Sequence, residues 1–267
     1  VFVSLSAISI GKGLQIAIKD KLYSLSPDLV ISTYENNSRG IASEKINNFE
    51  SVSSEIKNVF PVIRFEKIIE KPTLISVDNS FETVIFRGVN NGYNFRDFNN
   101  FIIGSKIKND ITNNEIIISK SLSDKLKISV GQILTLYFQV NNNQRIPNVR
   151  SFNVSYIYET DFPDYDNNYI IGNLETLQNV YKWSKNDYAN IEISIEDKSQ
   201  ISLIEKSISL LSSFEKNNLS TKTVQSKYTN IFSWISIFDF NILIITFLMI
   251  LVAIISVVIS LFILIFE

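Results

Sequence analysis

The chain has no cysteine and no histidine among its 267 residues, and only one methionine, five prolines and eight glycines. The lack of cysteine excludes disulfides, thiol nucleophiles and zinc–thiolate sites, and fits either side of a membrane. The lack of histidine removes the commonest general base, so only carboxylate, lysine or tyrosine chemistry remains. No enzyme activity and no cofactor are expected. Charge of one sign is missing too: 25 basic residues nearly cancel 27 acidic ones. Without a basic stripe interleaved with aromatics, a nucleic-acid partner is disfavoured. Gly11-Lys12-Gly13 lacks the Gly-x-x-x-x-Gly-Lys-Ser/Thr spacing of a phosphate loop, and no ATP-hydrolysing motif is found elsewhere. It reads instead as a flexible exit from a membrane.

What the chain does have is apolar length. Phe240 to Phe266 is 27 residues without a charge, interrupted only by Asn241, Thr246, Ser256 and Ser260. As a helix it would reach about 40 Å at ~1.5 Å per residue, more than the ~30 Å hydrocarbon core of a bilayer. The other end, Val1 to Gly11, is also uncharged but about half the ~20 residues needed to cross, and reads as the end of an earlier span. A signal-peptide remnant is the rival, although no basic region precedes it. Two spans around one loop place that loop on one side of the membrane. The loop is too long for the positive-inside rule to choose the side.

Between the apolar ends the pattern is mixed α and β. Leu14, Ala17, Ile18, Leu22 and Leu25 recur at helical spacing up to Pro27, and Ile201, Ile204, Ile208 and Leu211 do so again, with Asp197 available as cap. Strands are expected at Asp28–Tyr34, Val59–Ile69, Thr73–Val77, Thr83–Gly88, Ile191–Ile195 and Thr221–Val224, with a polar helix at Ala42–Ser53. The middle reads as strand-rich: Glu115–Ser119, a short helix at Lys120–Lys127, a turn at Gly131, then Gln132–Val140 opposite Ser151–Tyr158. Together these predict a discontinuous α+β domain with a β-rich insertion.

Three local features invite a function. Asp164, Asp166, Asn168 and Glu175 occupy the first, third, fifth and twelfth positions of a calcium loop, but Tyr169 stands where the sharp turn needs glycine. A solvated turn over Asp161–Asp164 leading into a strand at Tyr169–Gly172 is the simpler reading, and no metal site is assigned. Asn36, Asn153 and Asn218 begin Asn-x-Ser triplets of the kind that chance produces in an Asn- and Ser-rich chain. Tyr228, Phe232, Trp234, Phe238 and Phe240 lie just before the long apolar run, where amphipathic rings favour the headgroup level. They form an interfacial belt, or a surface, centred on Phe232, Trp234, Phe238 and Phe240, that admits acyl chains between spans, and both can hold for different faces of one helix.

Several blocks resemble one family. Phe2 to Pro27, with Gly13-Leu14-Gln15 and Leu25-Ser26-Pro27, is similar to the end of the first span in LolC/LolE-type permeases of lipoprotein-releasing ABC transporters. Ile118 through Leu136 resembles their strand–helix–Val-Gly–strand block, and Arg145-x-Pro147-x-x-Arg150-x-Phe152 their Arg-x-Pro-x-x-Arg-x-Phe segment. Ile231-Phe232-Ser233-Trp234 through Asp239 and Asn241 looks like the second span of Bacteroidetes-type members. Ser256 departs from the Asn common in that span.

The resemblance implies a four-span permease of the MacB/FtsX-like superfamily in the inner membrane, with a large periplasmic domain. It divides the chain into residues 1–11 (end of the first transmembrane helix), 12–90 (first half of a porter-like α+β part), 91–189 (inserted β-rich part), 190–238 (second porter-like half) and 239–267 (second transmembrane helix). It also implies a cytoplasmic ATPase, a second permease copy, lipoprotein cargo and a periplasmic lipoprotein chaperone. The chaperone would be grasped by a hook at Arg145, Ile146, Pro147 and Arg150, on the Asn141–Val149 connection. Macrolide exporters and cell-division regulators share this domain plan, so other cargo remains an alternative. From the residues alone, a two-span receptor with a ligand-binding ectodomain and a membrane-tethered enzyme also stay open.

Overall fold

The structure, a computed structural model, describes residues 2–34, 44–46, 49–60, 64–77, 80–95, 97–107, 110–140, 146–195 and 197–266. They fall into two units, Pro27–Thr223 and the pairing of Val1–Ser26 with Val224–Glu267.

In the helical unit, α1 (Phe2–Leu25) runs unbroken, so Gly11-Lys12-Gly13 is not the expected flexible exit. The helices come close at Gly11, where a Cβ would lie 3.3 Å from Ile242 Cδ1 of the long final helix Thr229–Phe266. Gln15 donates to the Ile235 carbonyl at 3.3 Å, Tyr23 meets Phe232 edge-on, and the Ser26 and Tyr228 hydroxyls bond at 3.0 Å. One number falls as the other rises, so the two helices are antiparallel. The final helix is long and apolar enough to cross a membrane, and none of its most apolar stretch is buried.

The other unit is built on ten strands: β1 Leu29–Thr33, β2 Arg64–Val77, β3 Ser80–Val89, β4 Ile102–Ile103, β5 Glu115–Ser119, β6 Ile133–Phe138, β7 Asn148–Tyr158, β8 Tyr169–Asn173, β9 Asn190–Ser194 and β10 Leu219–Thr223. They pair in the order β10-β1-β9-β2-β3-β8-β5-β7-β4, and β6 bridges β7 back to β2. Strands β2, β3, β8, β5, β7 and β6 therefore close into a six-stranded barrel, with β9, β1 and β10 extending from β2. Phe86, Phe138 and Phe152 meet inside the barrel, with ring centroids 5.6–6.4 Å apart.

Strand β2 replaces the two strands expected at Val59–Ile69 and Thr73–Val77. Its first residues pair with β9 and Leu74–Ser76 with β6, leaving a gap around Pro72. The Ile85 N–H points away, to the Asn168 carbonyl, so the Ile85–Pro72 pair is not hydrogen-bonded and the Pro72 nitrogen faces that gap. A strand tolerates proline where no donor is needed.

The helix expected at Ala42–Ser53 is displaced. Ile46 makes a β-bridge with Tyr188, and the described helix α2 is Phe49–Val59, which buries Val52 and Ile56 one turn apart; Ala42 and Ser43 lie outside the described residues. Helix α3 (Lys120–Leu126) is capped by Ser119 and ends at Lys127 in the left-handed conformation. Asp161, Pro163 and Asp164 of the expected solvated turn are exposed, and the stretch runs into a short helix α4 (Pro163–Asp166) whose Tyr165 and Asp166 are buried. Helix α5 (Leu174–Tyr181) and the amphipathic α6 (Ile201–Ser209) pack on the sheet; Asp197 caps a 3-10 turn, Lys198–Gln200, that leads into α6.

Candidate functional site

The connection singled out in sequence is the tip of the β6–β7 hairpin. The ladder runs from Ile133 opposite Asn153 to Phe138 opposite Asn148. Alternation sends Leu134, Leu136 and Phe138 into the barrel and leaves Ile133, Thr135 and Tyr137 facing outward. Beyond the ladder, Ile146 is 78% exposed and Pro147 is exposed; Arg145 lies outside the described residues. Arg150 belongs to β7, opposite Leu136, and among the described residues its guanidinium donates to the neighbouring Val149 carbonyl, at 3.3 Å. The tip thus presents an apolar side chain and a proline, the latter limiting backbone freedom, from a hairpin rooted in a packed barrel.

The aromatic group before the apolar run is split by the helix. Trp234 and Phe238 form an edge-on pair at 4.5 Å, with Trp234 51% exposed. At about 100° per residue, Phe232 and Phe240 project from the other side. Phe232 contacts Tyr23 of α1, whereas Phe240 is exposed. The four rings do not make one surface; Trp234 and Phe238 do.

The acidic loop is used internally. The Asp166 carboxylate accepts from the Thr160 N–H and hydroxyl, at 3.2 and 2.7 Å, while Ser119 donates to the Asp166 carbonyl. Glu175 accepts from Asn113 at 3.4 Å, and Asn168 donates to the Asp164 carbonyl at 2.8 Å. Among the described residues no three carboxylates converge on a cation site.

Sequence reasoning missed a buried charge cluster. Arg87, inside the apolar run Val84–Val89, donates to Glu70 at 2.7 Å and to Glu192 at 2.5 Å, joining three neighbouring strands. Burial pulls its pKa down, but Glu192, Tyr93, Tyr165 and Glu70 more than reverse this, so it stays charged. Burial pushes the Tyr93 and Tyr165 hydroxyls up. Glu66, directly opposite Glu192, is raised by burial and by that like charge. An arginine within an apolar strand was the available signal. Its partners, 17 and 105 residues away, became visible only in the folded sheet.

A barrel-bearing α/β unit, together with a helix long and apolar enough to cross a bilayer, fits the class of membrane-attached α/β domains. The MacB-like periplasmic core domain family matches residues 1–211, and the chain belongs to it. The periplasmic region of MacB from Actinobacillus actinomycetemcomitans is similar with a TM-score of 0.50 at 16% identity, over 76% of this chain and 91% of that one. The extracellular domain of the noncanonic ABC-type transporter YknZ from Gram-positive bacteria gives 0.48 at 17%, over 73% and 99%. A domain of a putative permease protein from Porphyromonas gingivalis gives 0.39 at 13%, over 73% and 88%. No curated protein matches the chain. At such identity the MacB likeness speaks to fold alone. Family membership makes residues 1–211 the match to the periplasmic domain of an ABC-transporter permease of the MacB/FtsX-like superfamily, and implies an ATPase partner and dimerisation.

Proposed function

We propose that this chain is part of a LolC/LolE-type permease of the Bacteroidetes kind, which extracts lipoproteins from the inner membrane and passes them to a periplasmic chaperone. The observation that carries the reading is the exposed Ile146–Pro147 at the end of a hairpin whose strands are anchored in a packed barrel. A rigid stalk with an apolar, conformationally restricted tip suits a hook for a partner, and Arg145 adds a planar five-donor fork for carboxylates or carbonyls. On this reading the Trp234–Phe238 pair contributes the surface that admits acyl chains. Helices Phe2–Leu25 and Thr229–Phe266 carry motion driven by the ATPase toward the periplasmic domain. On this reading residues 12–90 with 190–238 form the porter-like part and 91–189 the inserted β-rich part, with β2 and β3 of the former completing the barrel of the latter.

Replacing Arg145 with Ala and Pro147 with Gly is expected to abolish chaperone cross-linking without lowering the ATPase activity of the assembled complex or the melting temperature. Undiminished cross-linking would refute the hook. Trp234→Ala with Phe238→Ala should reduce retention of lipidated cargo in detergent, since each ring offers about 1–3 kcal/mol of apolar burial. A cysteine at the exposed Asn113 should react with a membrane-impermeant reagent in intact spheroplasts. Labelling only after lysis would place the domain in the cytoplasm and end the permease reading.

A further inference from the structure

The root of the hairpin is held by a cluster that the proposed hook does not include. Strand β6 keeps its β2 partner only from Thr135 to Tyr137, and the Thr73 hydroxyl then takes over, donating to the Tyr137 carbonyl at 3.0 Å. Past that point Phe138 is locked in the barrel, Val140 packs against the core, and the Tyr181 hydroxyl reaches the Gln139 carbonyl at 3.4 Å. Tyr181 and Trp183 also pack against the core. Lys71, 6% exposed on β2, places its ammonium 4.9 Å from the Tyr181 ring and 4.7 Å from the Trp183 ring.

Those two rings are themselves fixed. Helix α5 ends in a left-handed Lys182, whose N–H returns to Asn179 while that of Trp183 returns to Gln178 at 2.8 Å, closing a Schellman turn. The buried Gln178 side chain then donates to the Lys185 and Asp187 carbonyls, both at 3.1 Å, which holds the turn beyond. A pair of rings on a rigid turn, drawn onto a buried cation from β2, is a clamp at the place where the hairpin leaves the barrel.

We infer that Lys71, Tyr181 and Trp183 are positioning residues that fix the direction of the β6–β7 tip and so set how well it engages a partner. The inference rests on the hook reading for its consequence, but not for its geometry. Its test uses the full chain in detergent micelles, with a nitroxide on Ile146→Cys, the only thiol in a chain that has none of its own. Lys71→Met and Trp183→Leu should each raise the ratio of mobile to immobile label by about fivefold, the scale of one lost cation–π contact. Lys71→Arg should restore the immobile spectrum. Ile204→Ala, a core truncation on α6 outside this cluster, should lower stability and leave the label unchanged.

Lys71→Met separates positioning from simple structural support, because removing a desolvated charge should not lower the melting temperature while the tip loosens. An unchanged label in Lys71→Met, or an equal loosening in Ile204→Ala, would overturn the inference. The unlabelled chain is cross-linked to the periplasmic chaperone in parallel. Absence of wild-type cross-linking together with the expected label response would end the hook reading and leave the clamp standing.

Discussion

Arg87→Met tests the buried charge cluster. The guanidinium is buried between Glu192, equally buried, and the mostly buried Glu70. Removing it strands two carboxylates in a low-dielectric site, and breaking a buried pair from one side costs about 3–5 kcal/mol. Set against the ~5–15 kcal/mol that hold a typical domain together, that is a large share. At roughly 2–4 °C per kcal/mol for a domain of this size, the melting temperature should fall by about 6–20 °C. Helical content is a poor monitor, because a membrane helix persists in detergent. Near-ultraviolet circular dichroism of the buried Tyr158 and Tyr165, which stack edge-on at 5.8 Å, reports on the sheet unit instead. Replacing Glu70 and Glu192 by Met in the same chain should recover most of the loss, since apolar residues of similar volume remove the stranded charge. A loss below about 1 kcal/mol for the single variant would mean that the cluster is hydrated like a surface pair, and would refute the argument.

Gly172→Ala should be among the most damaging single-methyl additions, because a Cβ there would overlap the Phe86 ring at the barrel centre; thermal melts should show a loss at or above the ~1–3 kcal/mol typical of overpacking. Glu66→Gln should stabilise at neutral pH. Its carboxyl is raised by burial and by Glu192, so the folded chain holds the extra proton just above the ordinary carboxylate range and loses stability as pH climbs through that window; the advantage of Gln should vanish at lower pH. Lys71 is pushed down to about 8 by burial. Between about 8 and its ordinary ~10.4 only the unfolded chain holds the proton, so wild-type stability should gain up to about 3 kcal/mol across that window relative to Lys71→Met. A flat difference between pH 7 and 10.5 in urea melts would show that the amine is solvated.

Local patterns fixed the pieces of this protein that answer to local physics. The uncharged run Phe240–Phe266 could only be a long apolar helix, and the alternation in β6 and β7 required a hairpin with a tip between them. The short helix after Ser119 and the turn at Gly131 were legible because short helices and positive-φ turns depend on neighbours in sequence, whereas the cap that Ser119 supplies came to light in the structure. Tertiary structure decided the rest. Whether Thr73–Val77 was a separate strand or the second half of β2 depended on a partner, β6, about sixty residues later, and on Pro72 falling where no donor was needed. Asp166 stood in sequence only as one position of an incomplete calcium loop, and the fold buried it against Thr160. That the aromatic residues before the apolar run serve different faces of one helix was open in the sequence, and the structure showed which: Trp234 and Phe238 on one side, Phe232 and Phe240 on the other. Arg87 and Lys71 were visible as residues but not as sites, because a buried charge is defined by groups brought from distant strands and turns, and pairings at such separations leave no periodicity in the sequence.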